Sequence, residues 1–189
     1  MRDEVPAALE RLRRMGIRRL VLLSGDNARV ACALAQQLGV ECRAEMLPED
    51  KIEFVRELQR AGHCVAMIGD GINDAPALAQ ANVGIAMGVA GTDVSLEAAH
   101  IALMTDDWSH IPVAVYLARR TFRTIQQNVA FGLLFNVVGL TLASLGILTP
   151  VMAAAAQSLP DVAVFVNSSR LLKVTGPKSQ VASRPHPAT

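Results

Sequence analysis

Short apolar runs alternate with segments of helical periodicity along the first half of the chain. Helices are predicted where apolar residues recur every three to four positions: residues 5–15, 28–38, 47–62 and 74–81. Strands are predicted for the short apolar runs between them: residues 19–23, 41–46, 64–68, 83–87 and 100–104. This alternation predicts an α/β domain whose parallel sheet is covered by helices on both faces.

The rest of the chain follows a different pattern. A long helix is predicted for residues 107–128, and Asp161 is the only charged residue between Arg123 and Arg170. Residues 129–148 form an uncharged run, long enough to cross a hydrocarbon core of roughly 30 Å as a helix. A turn at Thr149 and Pro150 then leads into residues 149–172, a second predicted crossing that Pro160 and Asp161 interrupt.

Composition limits the classes of function. The chain has 189 residues and a net charge of +1, which gives no electrostatic reason to expect a nucleic-acid partner. Its cysteines, Cys32, Cys42 and Cys64, lie in the polar half without metal-ligand spacing. We therefore expect reduced core thiols in a cytosolic compartment.

The first candidate site lies where the predicted strand 64–68 ends. Gly69 and Gly71 allow a sharp turn, and Asp70 and Asp74 lie four residues apart around Asn73. Two carboxylates so placed suit Mg²⁺, a hard cation that prefers oxygen ligands and substrate phosphate. The structural alternative, equally compatible with these residues, is a polar turn that caps a helix.

Two further elements point to phosphate. Ser24, Gly25, Asp26 and Asn27 follow a predicted strand and precede a helix, where a hydroxyl and free amides favour an anion. The alternative is an ordinary helix cap at Asp26 or Asn27. Lys51, near the start of the next helix, is either a solvated surface charge or a point charge on a phosphoryl group.

Taken together, these motifs resemble the phosphorylation domain of the P-type ATPases, which has a haloacid-dehalogenase-like fold. The order and spacing of three motifs carry the resemblance: residues 24–27, 48–51 and 69–78. Residues 83–88 and 91–94 continue it. The heavy-metal-transporting branch is indicated by residues 119–121, 127–128 and 167–172.

The resemblance implies a fold class and a division of the chain. The fold would be a haloacid-dehalogenase-like Rossmannoid parallel sheet, a partial phosphorylation domain, followed by a transmembrane α-helical hairpin. The implied segments are the partial domain, a connecting helix, two transmembrane helices and a disordered cytosolic tail: residues 1–106, 107–128, 129–148, 149–172 and 173–189.

Roles for individual residues follow only from this resemblance. Asp70 would bind Mg²⁺ with help from Asp74, and Lys51 would contact the transferred phosphoryl group. Ser24 stands where the family usually has threonine. The remaining residues would shape the catalytic and nucleotide-binding pocket: Gly25, Asp26, Asn27, Gly69, Gly71 and Asn73. Mg²⁺ and ATP are the cofactors implied for an intact pump.

One departure from the family is large. The nucleophilic aspartate belongs to an Asp-Lys-Thr-Gly-Thr motif that these residues lack. Covalent catalysis needs its nucleophile, so we expect this polypeptide alone neither to hydrolyse ATP nor to pump. The missing N-terminal pump domains would be its partners. Two alternatives remain open: a membrane-anchored phosphatase of the haloacid-dehalogenase type, and a non-catalytic regulatory module.

Asn136, Gln157 and Asp161 are the notable polar residues at membrane depth, and are candidate ligands of the transported ion. The alternative places Asp161 near the interface or against another helix. Their amide and carboxylate oxygens favour a zinc-, cobalt-, nickel- or iron-like ion over soft Cu(I). Basic residues flank both apolar segments, which predicts that the soluble domain and the C-terminus lie in the cytoplasm. We expect a multi-pass protein of a bacterial plasma membrane, with lipid around the helices.

Overall fold

The computed structural model describes residues 3–70, 73–88 and 98–172. The chain divides into two compact units, Met1–Pro112 and Val113–Thr189. Gly71 and residues 91–94, which carry part of the family resemblance, lie outside the described residues, and so does the predicted tail 173–189.

In the first unit, helices and strands alternate as predicted. The elements are α1 (Glu4–Arg14), β1 (Val21–Leu23), α2 (Ala28–Leu38), β2 (Glu41–Arg43), α3 (Pro48–Arg60), β3 (Ala66–Gly69), α4 (Ala75–Gln80), β4 (Val83–Met87) and β5 (Ile101–Leu103). Every strand pair is parallel, which confirms the predicted sheet type. The described strands nevertheless form two sheets rather than one, in the orders β1-β2 and β3-β4-β5, because no ladder joins β1 or β2 to the other three.

Local sequence signals explain where the helices begin and end. The side chain of Asn27 accepts a hydrogen bond of 2.9 Å from Arg29 N and so caps α2. Gly39 ends the same helix in the left-handed conformation, with φ of 63°. Pro48 opens α3, where a missing N–H costs nothing, and the Asp50 carboxylate accepts from Leu47 N at 2.9 Å.

The core of the first unit lies between the three-stranded sheet and two helices. Its buried members come from α3, β3, α4 with the residue after it, and β4: Val55, Met67, Ala77, Leu78, Ala81 and Ala86. Leu23 of β1 and Ile52 of α3 pack against this cluster. The last residue of β1 therefore contacts the same core as the strand that ends at Gly69.

The second unit contains most of a long helix and two short ones. The helices are α5 (His110–Ser144), α6 (Pro150–Ala156) and α7 (Ser158–Ser169). α5 merges the predicted connecting helix with the first predicted crossing. By length and composition, α5 is the one helix among the described residues that is long and apolar enough to cross a membrane.

The second predicted crossing is divided differently from the prediction. The helix breaks at Gln157, three residues before Pro160, and Asp161 lies in the first turn of α7. A proline ring clashes with the carbonyl four residues earlier, which here belongs to Ala156, the last residue of α6. The helix break caused by Pro160 therefore lies about one helical turn before the proline itself.

The expected reduced core thiols are not what the structure contains. Cys32 of α2 and Cys42 of β2 are joined by a disulfide, with Cα atoms 5.3 Å apart, and Cys64 is a free and exposed thiol. The prediction was wrong because spacing along the chain does not reveal that α2 folds back onto β2.

Candidate phosphate and magnesium site

A lysine–aspartate ion pair lies at the carboxyl edge of the three-stranded sheet. Lys51 Nζ donates to Asp74 Oδ1 at 2.6 Å, and the two side chains are 13% and 17% exposed. Lys51 lies in the first turn of α3, and Asp74 is the residue from which α4 begins. The fold therefore brings together two of the side chains that the sequence assigned to one site.

Gly69 makes room for this pair. A Cβ atom added at Gly69 would meet Asp74 Oδ2 at 2.8 Å and Asp74 Cβ at 2.9 Å, closer than real contacts allow. Glycine at the end of β3 is therefore required for the Asp74 side chain to lie directly against the backbone. Here the requirement is close approach rather than a left-handed turn.

The donor set fits Mg²⁺. Asp70 directly follows β3 and its side chain is exposed, so its carboxylate oxygens lie at the edge where ligands of parallel sheets bind. Asp74 contributes a second carboxylate close by, with Oδ1 engaged by Lys51. Asn73 is also exposed beside Asp74, whereas Gly71 lies outside the described residues.

The loop after β1 contains the second predicted group of residues. Ser24 Oγ accepts from Asp26 N at 3.1 Å, and Asn27 caps α2. Of the two caps that the sequence left open, Asn27 is the one that forms. A Cβ on Gly25 would lie 3.3 Å from the Met46 carbonyl oxygen, so a small residue lets this loop approach the loop after β2.

Glu45 shapes this loop, and the sequence analysis missed it. Its backbone has φ of 56°, a left-handed conformation that is uncommon for a residue other than glycine. Its N–H donates to the Asp26 carbonyl at 3.0 Å, and its Oε1 accepts from Ala28 N at 3.3 Å. No sequence signal marks a glutamate for this conformation.

The predicted site residues thus fall into two contact groups. Lys51 and Asp74 form one group, and the Ser24–Asn27 loop forms the other through its hydrogen bonds to residues 43–46. The Met46 N–H donates to the Ser24 carbonyl at 3.1 Å, and α3 with Lys51 begins at the second residue after Met46. A short stretch of backbone therefore links the two groups.

The candidate ion ligands of the second unit have no such arrangement. Asn136, Gln157 and Asp161 are all exposed. Across the described ranges 3–70, 73–88 and 98–172, no group of three or more His, Cys, Asp or Glu side chains is arranged to hold a metal ion.

A polar bridge within the second unit was also missed as a contact. Asn167 Nδ2 donates to Asn128 Oδ1 at 2.8 Å, and Asn128 Nδ2 donates to Ser168 Oγ at 3.0 Å, joining α5 to α7. These residues belong to the motifs that carry the family resemblance. The sequence alone did not indicate that the motifs contact each other.

Two perturbed acids lie outside the candidate site. At the amino edge of the two-stranded sheet, a two-pronged hydrogen bond from Arg19 holds the pKa of the Glu41 carboxyl below its usual value. Before α5, the backbone N–H of Ser109 donates to Asp107 Oδ1 at 2.8 Å and lowers the pKa of Asp107. Both hydrogen bonds favour the charged carboxylate.

Comparisons with known proteins show which proteins the chain resembles. Residues 1–82 match the haloacid dehalogenase-like hydrolase family. The chain is 46% identical over 174 residues to a manganese-exporting P-type ATPase of Mycobacterium leprae, and 47% identical over 174 residues to a zinc-exporting P-type ATPase of Mycobacterium marinum. In both cases the match covers 92% of this chain and 24% of the relative.

A solved structure extends the match to the fold. The crystal structure of a zinc-transporting PIB-type ATPase in its E2.Pi state aligns with a TM-score of 0.84 at 38% identity, over 92% of this chain and 28% of that one. Over nearly all of its own length, the chain is thus similar to heavy-metal-transporting P-type ATPases. The chain therefore has the haloacid-dehalogenase-like fold that its motifs predicted, and it spans about a quarter of the length of these curated relatives.

Proposed function

We propose that this chain supplies the magnesium-binding and phosphoryl-binding side of the phosphorylation domain of a metal-exporting P-type ATPase, together with two of its membrane helices. The observation that carries the proposal is the Lys51–Asp74 pair, 2.6 Å long and largely shielded from water, beside Asp70 at the carboxyl edge of a parallel sheet. Charges held there are ready to act on a phosphoryl group without reorganising.

Each residue has a distinct part in this proposal. Lys51 would neutralise the transferred phosphoryl group as a point charge, and Asp74 would hold the ammonium group in place. Asp70 would hold Mg²⁺, which when bound supplies charge neutralisation at the phosphoryl oxygens. The Ser24 hydroxyl, whose oxygen accepts from the Asp26 N–H, and the amide of Gly25 would donate hydrogen bonds to the phosphate.

The nucleophile would come from the rest of the pump. These 189 residues contain no Asp-Lys-Thr-Gly-Thr motif. Within the described residues, β1 pairs only with β2, and β3 pairs only with β4. Strands β1 and β3 nevertheless contribute side chains to the same core cluster. A strand that carries the aspartate would pair with these free edges and complete the sheet. Without it, the chain would neither hydrolyse ATP nor transport ions.

For the transported ion, we propose a borderline or hard divalent transition metal. Asn136, Gln157 and Asp161 offer oxygen ligands, which suit such ions better than Cu(I). Gln157 has helical backbone angles and lies one helical turn before Asp161, so the two side chains project from the same side of the helix. The manganese-exporting and zinc-exporting relatives handle metals of this class.

The membrane topology belongs to the same proposal. Arg119, Arg120 and Arg123 lie on α5 before its uncharged stretch. Basic residues favour the cytoplasmic side, so the first unit would be cytoplasmic, in a bacterial plasma membrane.

A chimaeric pump tests the proposal. The matching segment of a zinc-exporting relative is replaced by this chain, and phosphoenzyme formation from radiolabelled ATP and Mg²⁺ is measured. Lys51→Met should reduce phosphoenzyme by about 100-fold, the usual scale for losing one preorganised electrostatic contact. Arg14→Met removes the same charge from an exposed position and should leave the level unchanged.

Two results would contradict it. Unchanged phosphoenzyme in the folded Lys51→Met chimaera would remove Lys51 from the site. Release of phosphate from p-nitrophenyl phosphate by the chain alone, lost in Asp26→Asn, would instead favour a stand-alone phosphatase.

A further inference from the structure

A disulfide joins two elements of the first unit that flank the candidate phosphate loop. Cys32 lies in α2 and Cys42 in the middle of β2, ten residues apart in sequence, with Cα atoms 5.3 Å apart. Cys42 is the register partner of Leu22 in β1. The bond therefore fastens α2 to the sheet whose strands lead directly into the loops at residues 24–27 and 44–47.

The position of the two cysteines allows small molecules to reach them. Cys32 is exposed, and Cys42 is half-buried. A structural disulfide is normally enclosed, whereas thiol–disulfide exchange needs access to a sulfur atom. Neither cysteine belongs to the Lys51–Asp74 group or to the Ser24–Asn27 loop.

The disulfide acts on the same elements that shape the phosphate loop. α2 begins directly after Asn27, and the Ser24 N–H donates to the Arg43 carbonyl, one residue after Cys42, at 2.9 Å. Beyond β2, the N–H groups of Glu45 and Met46 donate to the carbonyls of Asp26 and Ser24. Fixing α2 to β2 limits the separation of these two loops.

We propose that Cys32 and Cys42 form a reversible redox modification site whose oxidised form tightens the Ser24–Asn27 loop. Two thiols lose two protons and two electrons and form one S–S bond. A low-molecular-weight disulfide such as oxidised glutathione accepts them and is cleaved to two thiols. A regulatory role for this site rests on the proposed function, which places the first unit in the cytoplasm. The glutathione pool there is reducing and normally keeps such a cysteine pair as two thiols.

Thiol counting tests the chemistry on the whole 189-residue chain in detergent micelles. The chain is equilibrated with oxidised or reduced glutathione, and free thiols are alkylated and counted by mass spectrometry. Oxidised glutathione should leave Cys32 and Cys42 joined to each other, with Cys64 either free or carrying one glutathione, and reduced glutathione should give three free thiols. In Cys64→Ser, the matched control, the counts should be none and two. A chain that never forms the bond, or that keeps it in excess reduced glutathione, overturns the proposal.

Hydrogen exchange tests the effect on the loop. In the oxidised chain, the backbone amides of residues 24–28 and 45–46 should exchange several-fold more slowly than in the reduced chain. Cys32→Ser should abolish the difference, and Cys64→Ser should retain it. Equal exchange in both redox forms would show that the bond does not act on the loop. Neither measurement involves phosphorylation, so failure here is distinct from failure of the proposed function.

Discussion

The two units of the chain treat apolar side chains in opposite ways. In the first unit, Leu78 is 0% and Val55 1% exposed. In the second unit, Leu140 is 74% and Phe165 75% exposed. Among the described residues, all the exposed large apolar side chains except Val30, Leu47 and Met104 belong to the second unit.

This difference indicates that the units are stable in different solvents. Burying one large apolar side chain contributes about 1.5–3 kcal/mol in water, which the first unit obtains from its own core. The second unit leaves many large apolar side chains exposed. Extended exposed apolar surface marks a membrane or another protein as the natural environment. In such an environment, hydrogen bonds between helices help to decide which helix faces pack together, as in the bridge from Asn128 to α7.

The largest expected effect compares one leucine from each unit. Leu78→Ala should lower the free energy of unfolding of the first unit by about 2–5 kcal/mol, because it leaves a cavity in a fully buried position. Leu134→Ala, at a side chain 63% exposed, should change the free energy of unfolding of the second unit by less than about 0.5 kcal/mol. Urea unfolding followed by fluorescence of the single tryptophan, Trp108, measures the first unit, and helix loss by circular dichroism in mixed detergent and sodium dodecyl sulfate measures the second.

The comparison between the two units fails if Leu78→Ala and Leu134→Ala lower the free energy of unfolding by the same amount. A large cost for Leu134→Ala in micelles would mean that the helix packs against something that shields it. Repeating the pair in the chimaeric pump sharpens the test, because helices contributed by the rest of the pump would raise only the cost at Leu134.

A glycine pair gives the next largest effect. Gly69→Ala should lower the stability of the first unit by about 1–3 kcal/mol, because its Cβ would displace Asp74 from Lys51. Gly132→Ala should stabilise α5 by about 0.5–1 kcal/mol, since nothing lies within 4 Å of the added Cβ. Thermal unfolding by circular dichroism measures both. A neutral Gly69→Ala variant would mean that Asp74 does not depend on this close approach.

The polar bridge of the second unit is expected to contribute less. A double-mutant cycle of Asn128→Ala and Asn167→Ala should give a coupling energy of about 0.6 kcal/mol, the average for hydrogen bonds between membrane helices. Ser169→Ala is the control, because its hydroxyl donates to Val166 within its own helix and should not couple to Asn128. Unfolding in mixed detergent and sodium dodecyl sulfate supplies the energies. A coupling near zero would show that the bridge does not hold α5 to α7.

Elements with clear boundary signals were predictable from the sequence. The bounds of α2 and β4 are those predicted, since Asn27 and Gly39 cap the helix, and Asn82 and Gly88 flank the apolar run of the strand. The family resemblance implied that Lys51 and Asp74 belong to one site, and Lys51 Nζ lies 2.6 Å from Asp74 Oδ1. Their roles in phosphoryl transfer stay predictions.

Features that depend on contacts between distant residues were not predictable. The Cys32–Cys42 bond requires the return of α2 onto β2, and the left-handed Glu45 is held by contacts to Asp26 and Ala28. The helix break at Gln157 follows from a steric clash that acts four residues before Pro160. In each case the feature depends on a contact with another part of the chain, which the local sequence pattern does not reveal.

The smallest expected effect concerns pH at the start of α5. The pKa of Asp107 is lowered in the folded chain by the Ser109 N–H, so the charged carboxylate stabilises the fold above the pKa of the unfolded state, about 3.9. This contribution is lost as the pH falls through the lower, folded pKa. Asp107→Asn keeps an acceptor for Ser109 but cannot titrate, so its stability relative to the wild type should rise as the pH falls from 6 toward 3.

Asp107→Ala separates the hydrogen bond from the charge. It removes the acceptor altogether and should cost about 0.5–1 kcal/mol even at low pH, where the wild-type carboxyl is protonated. Urea unfolding of the three proteins between pH 3 and 7, followed by Trp108 fluorescence, measures both components in the first unit. If Asp107→Asn and the wild type differ by a constant amount across this range, the Ser109 hydrogen bond does not favour the charged form, and the pH dependence of the first unit must come from other carboxylates, of which Glu41 beside Arg19 is the first to test.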